Sequence, residues 1–215
     1  MISLDELVGK RLMKSTSNEY EHKHWPKLIV GIDEAGRGPL AGPLVVVGVV
    51  LPVGYENEMI YDSKGISEKK RLELFEIIKE VALSYEILII EPEIIDKQNI
   101  YQATKNGMNE IALTLNADVV LTDAMPLTIT NKEVISLVKG DQKSISIASA
   151  SILAKVTRDK IMEEYDLMYP EYGFIKNKGY PTKQHLQALE KYGVLPIHRK
   201  SYGPVASLCQ LKLDL

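Results

Sequence analysis

An α/β fold is what the sequence predicts, on three observations. Short runs of β-branched residues alternate along the chain with stretches in which apolar residues recur every three or four positions. Glycine and proline punctuate the joins between them. No internal repeat, low-complexity tract or shift of composition marks a second domain. Strands alternating with helices in this way build a sheet covered by helices.

The elements follow in order. Residues 1–26 are polar, with weak helical spacing at Leu4, Leu7, Val8 and Leu12, and predict an N-terminal helical leader; residues 27–215 form one domain. Leu28, Ile29, Val30 and Ile32 predict a first strand with Asp33 and Glu34 at its end. Gly36 and Gly38 then let the backbone adopt conformations closed to residues with a Cβ. Pro43 to Pro52 (PLVVVGVVLP) is an apolar run too short for a buried helix, hence a central strand. A helix starts at Ser67, with Leu72, Phe75, Ile78 and Ala82 on one face; a strand follows at Glu86 to Ile90. Tyr101 to Leu115 is helical, Val119 to Thr122 is a strand ending at Asp123, and Val134 to Val138 is a strand followed by Gly140 and Asp141. A long helix from about Ile145 to Tyr165 turns Ala148, Ile152, Val156 and Met162 inward, and its small residues Ser149, Ala150 and Ser151 let it lie close to a sheet. From Pro170 onward come loops, a short helix near Lys183 to Lys191, and a tail.

Composition removes several function classes. The apolar fraction of 45% and charged fraction of 26% are those of an ordinary globular domain. A single cysteine, Cys209, leaves neither an internal disulfide nor a zinc finger, and His22, His24, His185 and His198 lack paired ligand spacing and read as packing or surface groups. With no membrane-length apolar run and no secretory core at the N-terminus, a cytoplasmic protein is expected. The net charge of -3 argues against attachment to nucleic acid by bulk charge. Yet Lys176, Lys178, Lys183, Lys191, Arg199 and Lys200 stand against Glu190 alone between positions 172 and 203, either a solvated face or a phosphate-facing one.

Asp33, Asp123 and Asp141 close the first, fourth and fifth strands, so they meet at one sheet edge if those strands are adjacent and parallel. Glu34 joins them only if the chain bends, because neighbouring strand residues face opposite ways. Alone, the Asp33-Glu34 pair reads equally well as a surface pair beside a turn, whereas Asp123 or Asp141 taken singly reads better as an ordinary strand-ending residue. Together, four carboxylates without cysteine or clustered histidine make a hard-oxygen site suited to Mg²⁺ or Mn²⁺. Two such ions roughly 4 Å apart serve in-line phosphodiester displacement.

The stretch GIDEAGRGPLAGP resembles the signature of the ribonuclease HII (type 2 ribonuclease H) family. Asp62-Ser63-Lys64, NIYQATKNGMNEIA, GDQKSISIASASILAKVTRD, GYPTKQH and HRKSYGPV resemble its later blocks, in the right order. The resemblance runs from about Ile29 to Val205. It implies a ribonuclease H-like five-stranded mixed sheet flanked by helices, with a C-terminal helical extension from about residue 170. It implies a monomer that hydrolyses the RNA strand of RNA/DNA hybrids and cuts 5′ of single ribonucleotides in duplex DNA, leaving 3′-hydroxyl and 5′-phosphate ends. By position, Asp33, Glu34, Asp123 and Asp141 correspond to the family's metal-binding carboxylates. Gly36, Arg37 and Gly38 correspond to the motif whose backbone reads the ribose 2′-hydroxyl, Tyr180 to the tyrosine that stacks on the following sugar, and Ser63 with Lys64 to a phosphate contact. One departure stands out: the glycine usual soon after the third acid is missing from Asp123-Ala124-Met125-Pro126. The tail Gln210 to Leu215 also faintly resembles peptides that bind a sliding clamp. Two rivals remain: a non-catalytic nucleic-acid-binding module, and a phosphate-cradling glycine loop. Against the second, the Gly38 segment leads into a strand, and no Gly-Lys-Ser/Thr follows.

Overall fold

The computed structural model describes residues 16 and 18–211. The helix expected around Leu4 to Leu12 and the tail residues 212–215 lie outside them. In chain order the elements are α1 (Glu19–Lys23), β1 (Ile29–Ala35), β2 (Leu44–Val50), α2 (Glu68–Val81), β3 (Ser84–Ile90), α3 (Pro92–Gln98) and α4 (Ile100–Thr114). They continue with β4 (Val119–Asp123), β5 (Glu133–Leu137), α5 (Ile145–Met168), α6 (Phe174–Asn177), α7 (Lys183–Tyr192) and α8 (Gly203–Leu211).

The strands form one sheet in the order β3-β2-β1-β4-β5. β2 runs antiparallel to β1 and β3, whereas β4 is parallel to both β1 and β5. The five-stranded mixed sheet that the sequence implied is therefore present. In register, Ile32 faces Thr122 across β1 and β4, and Asp123 faces Leu137 across β4 and β5. The ends of three neighbouring parallel strands thus share one sheet edge.

The unbroken apolar run of β2 reflects burial on both faces. Leu44, Val46 and Val50 join Met108, Ile111 and Ala112 of α4 in one core layer. Val45, Val47 and Val49 join Leu74, Phe75 and Ile78 of α2, and Ile152 and Val156 of α5, in the other. Each such valine or isoleucine contributes about 2 kcal/mol of burial. The small residues of α5 have their expected consequence at Gly31, where an added Cβ would stand 2.2 Å from the main-chain carbon of Ser146.

Two expectations are corrected and one helix is added. Leu72 is 42% exposed, because the buried stripe of α2 runs through Leu74, Phe75 and Ile78. Its neighbour Arg71 occupies the flank instead, with Nη1 donating to the carbonyls of Ser63 and Ile66. The loop between β3 and α4 contains α3, which Asn99 separates from α4 by a left-handed φ of 66°. The C-terminal tail contains α8, whose Val205 packs with Met162, Phe174 and Leu189 against the far end of α5.

Candidate active site

At the edge where β1, β4 and β5 end, a cleft of about 450 Å³ is lined by Asp33, Glu34, Asp123 and Asp141. The strand order supplies three of these acids by simple register. Glu34 arrives through the bend the sequence allowed: β1 stops at Ala35 and Gly36 takes φ 103°. The Arg37 guanidinium folds back to 3.5 Å from the Glu34 carboxylate. Asp33 Oδ1 accepts the Glu34 amide at 2.8 Å, and Asp123 Oδ1 accepts the Gly140 amide at 2.8 Å, fixing the turn that carries Asp141. After Asp123 the chain turns through Ala124 at φ 50°, the conformation a glycine would adopt without strain. Thr122 Oγ1 donates to the Met125 carbonyl at 2.6 Å and closes that turn.

The acids share one cleft, and the proton affinities of Asp33, Glu34 and Asp141 are raised there. Burial first, then the charges of Glu34 and Asp123, raise Asp33 well above the ordinary range; the Ser151 hydroxyl and the Glu34 amide oppose this. Burial raises Glu34 to about 7, opposed chiefly by Arg37. Burial and the charges of Asp62 and Asp123 raise Asp141 to about 6. A carboxyl titrating near 4.5 unfolded and about 7 folded leaves full stability below pH 4.5 and removes it as the pH rises through 7. Glu34→Gln is therefore expected to stabilise the cation-free protein at pH 8 by up to about 3 kcal/mol, and by nothing near pH 4.5. Thermal melts of both proteins across that interval check this; a constant difference would contradict it.

The donor set fits hard divalent cations. Glu34 Oε2 is buried without a hydrogen-bond partner, and the acids gain what they lack from positive charge. Among the described residues, no three histidine, cysteine or acidic side chains are grouped so that they could hold a metal ion by themselves. Mg²⁺-type ions take one or two carboxylates and complete their shell with water and substrate phosphate.

The other sequence-predicted residues converge on the same cleft. Gly36, Arg37 and Gly38 form one wall, and Tyr180, 45% exposed, stands beside Gly38, where an added Cβ would lie 3.3 Å from its ring. Lys64 is exposed in the cleft and acts electrostatically on both Glu34 and Asp141. Ser63 is buried, its hydroxyl 3.0 Å from that of Ser151. Tyr180 is held from behind by a directional chain. The Leu195 amide donates to His198 Nδ1 at 2.9 Å, the two imidazole Nε2 atoms meet at 3.0 Å, and His185 Nδ1 donates to the Tyr180 carbonyl at 2.9 Å. Burial lowers His185, and lowers His198 to about 4, so both rings are neutral at pH 7, as packing histidines.

Sequence reasoning missed Ser151, Lys155 and Arg158, which line the cleft from α5. Their spacing of four and three was the available signal, a polar stripe on a helix otherwise turned inward. The basic stretch at 172–203 also needs correction, because it is not one face. Lys176, Lys183, Lys191 and Lys200 are exposed, but Lys178 pairs with Glu163 at 2.8 Å and Arg199 is fully buried.

Among known proteins, the family model described as Ribonuclease HII matches residues 30–205. A protein named Ribonuclease HII from Listeria monocytogenes is 55% identical over 181 residues, covering 83% of this chain and 69% of that protein. The ribonuclease HII in the PCNA complex from Archaeoglobus fulgidus aligns with TM-score 0.71 at 28% identity, over 82% of this chain and 95% of that one. The ribonuclease H2 of Pyrococcus horikoshii aligns with TM-score 0.72 at 24% identity, over 87% of this chain and all of the other.

Proposed function

The chain belongs to the ribonuclease HII family and is a type 2 ribonuclease H, a hydrolase, and from this premise we propose how its cleft works. Asp33, Glu34, Asp123 and Asp141 hold Mg²⁺ or Mn²⁺ while the RNA strand of an RNA/DNA hybrid, or the 5′ side of one ribonucleotide in duplex DNA, lies across them. The observation that carries this reading is the single cleft shared by those acids, the Gly36–Gly38 backbone and Tyr180. When bound, the ions supply the charge that activates water and stabilises the leaving oxygen in an in-line displacement. The chain's own residues then orient the strand. The Gly36–Gly38 backbone meets the 2′-hydroxyl, the group that separates RNA from DNA. Tyr180 offers its exposed ring to the next sugar, and Lys64, with Ser63 beside it, faces a phosphate. Lys155, paired with Asp159 at 2.6 Å, lines the same cleft.

Among the described residues no helix is long and apolar enough to cross a membrane. Nucleic acid is the partner, bound by a monomer in this reading. A sliding clamp is a further partner through residues 210–215, tested by comparing clamp pull-down for the full chain and a chain ending at Leu208.

The direct test is hydrolysis of an RNA strand labelled at its 5′ end and annealed to DNA, with Mg²⁺, Mn²⁺ or chelator. Cutting that needs a divalent ion and leaves 3′-hydroxyl and 5′-phosphate ends supports the proposal. Cutting in chelator, or the opposite end chemistry, overturns it.

A further inference from the structure

Two arginines lie fully inside the protein beneath the recognition loop, Arg199 at 0% exposure and Arg158 at 2%. Buried guanidinium groups are costly unless satisfied, and carboxylates are their usual partners. Among the described residues, neither has a carboxylate within ion-pair distance. Their partners are mostly backbone carbonyls, and most of these belong to one segment, Gly36 to Pro43. Arg199 Nη2 donates to Gly36 O at 2.6 Å and Gly42 O at 2.9 Å, Nη1 to Arg37 O at 3.1 Å, and Nε to Gly42 O at 3.1 Å. The Tyr202 hydroxyl accepts from Arg199 Nη1 at 3.0 Å and itself donates to Arg37 O at 2.6 Å. Arg158 bonds Ala41 O, Pro43 O and Lys178 O at 2.9–3.0 Å. It runs where a side chain at position 36 would be, since an added Cβ on Gly36 would lie 2.2 Å from Arg158 Nε.

Stability alone is a poor explanation for this arrangement, because apolar residues of similar volume often replace buried charges without loss. Orientation explains it better. In a trans peptide the N–H points opposite to the preceding C=O. Drawing the carbonyls of Gly36 and Arg37 down onto Arg199 therefore turns the N–H groups of Arg37 and Gly38, two residues that line the cleft, away from it. The positive charge below also polarises these peptides, making each N–H a stronger donor. A sugar without a 2′-hydroxyl would leave such donors unpaired, which is how polar sites reject analogues.

We propose that Arg199, assisted by Tyr202, is a positioning residue for sugar selectivity, acting through the Gly36 and Arg37 carbonyls on the N–H donors of Arg37 and Gly38. This rests on the reading that the Gly36–Gly38 backbone meets the 2′-hydroxyl, so the test separates the two. The dissociation constants of a DNA duplex with one ribonucleotide and of its all-DNA counterpart are measured by fluorescence anisotropy in Ca²⁺. The proteins are the wild type, Arg199→Lys, Tyr202→Phe and Gly38→Ala, with Mn²⁺ affinity and melting temperature recorded for each. A lysine's compact ammonium does not reproduce the planar fork that spans the Gly36, Arg37 and Gly42 carbonyls, so the preference for the ribonucleotide duplex is expected to fall about tenfold in Arg199→Lys and a few-fold in Tyr202→Phe. Affinity for the all-DNA duplex and for Mn²⁺ is expected to stay at the wild-type level, which a general loss of structure would not allow. If Arg199→Lys does not fold, Tyr202→Phe decides. Loss of preference in Gly38→Ala alone, with both other variants folded and selective, overturns the positioning role and leaves the loop reading standing. A wild type without preference, or Gly38→Ala retaining it, removes the loop reading and the positioning role together.

Discussion

Asp123→Asn is expected to lower hybrid hydrolysis by at least about a thousandfold while leaving hybrid affinity within a few-fold of wild type. The carboxylate ends β4 in the middle of the three parallel strand ends, and its charge raises the proton affinity of Asp33, Glu34 and Asp141 alike. In the proposed reading, loss of this charge removes a ligand from the centre of the cation site. The amide oxygen of asparagine can still accept the Gly140 N–H that now binds Asp123 Oδ1 at 2.8 Å, so the turn carrying Asp141 keeps its anchor. The Gly36–Gly38 and Tyr180 wall proposed to meet the substrate is untouched. Single-turnover rates and equilibrium binding, measured on the same hybrid, separate the two effects. An equal loss of both would mean that Asp123 supports the fold rather than the chemistry.

The largest expected effect on stability is far smaller in atoms: one methyl group at Gly31. An alanine there would place Cβ 2.2 Å from Ser146 C, 2.3 Å from Ile147 N and 2.6 Å from Ser146 Cβ. Two of these are main-chain atoms in the first turn of α5, so relief needs the whole helix to move off β1. Helix α5 also packs on β2 and carries Ser151, whose hydroxyl lowers the proton affinity of Asp33. Gly31→Ala is expected to cost about 3 kcal/mol or more, lowering the melting temperature by on the order of 10 °C. A melt within about 2 °C of wild type would show that β1 and α5 are less closely packed than described.

Much of this architecture is legible in the sequence because its signals are local. The run Leu44 to Val50 is apolar at every position but Gly48, and only a strand buried on both faces needs that. Ser67 caps α2 through its hydroxyl, as its place before a periodic stretch implied. The convergence of Asp33, Asp123 and Asp141 followed from strand order, once β1, β4 and β5 proved adjacent and parallel. What escaped depends on partners distant in sequence. Arg199 looks like one more surface cation in a basic stretch, and only the fold shows it reaching Gly36, 163 positions away. The His185 and His198 pair behaves similarly: spacing excluded a metal site but could not reveal a relay ending on the Tyr180 carbonyl. The residues of α8 read as a tail in the sequence because their apolar side chains answer to a partner surface made by α5 and α6 rather than to a pattern of their own.

In the proposed reading, one cleft combines cation-dependent phosphodiester chemistry with recognition of the ribose hydroxyl. The most direct measurement offers the purified protein a DNA duplex carrying one ribonucleotide and an all-DNA control, with Mg²⁺, Mn²⁺ or chelator, and maps the cut at nucleotide resolution. The account predicts cutting immediately 5′ of the ribonucleotide only when a divalent ion is present, with the control intact. Folded protein that cuts neither duplex with either ion, or that cuts both equally, would contradict it.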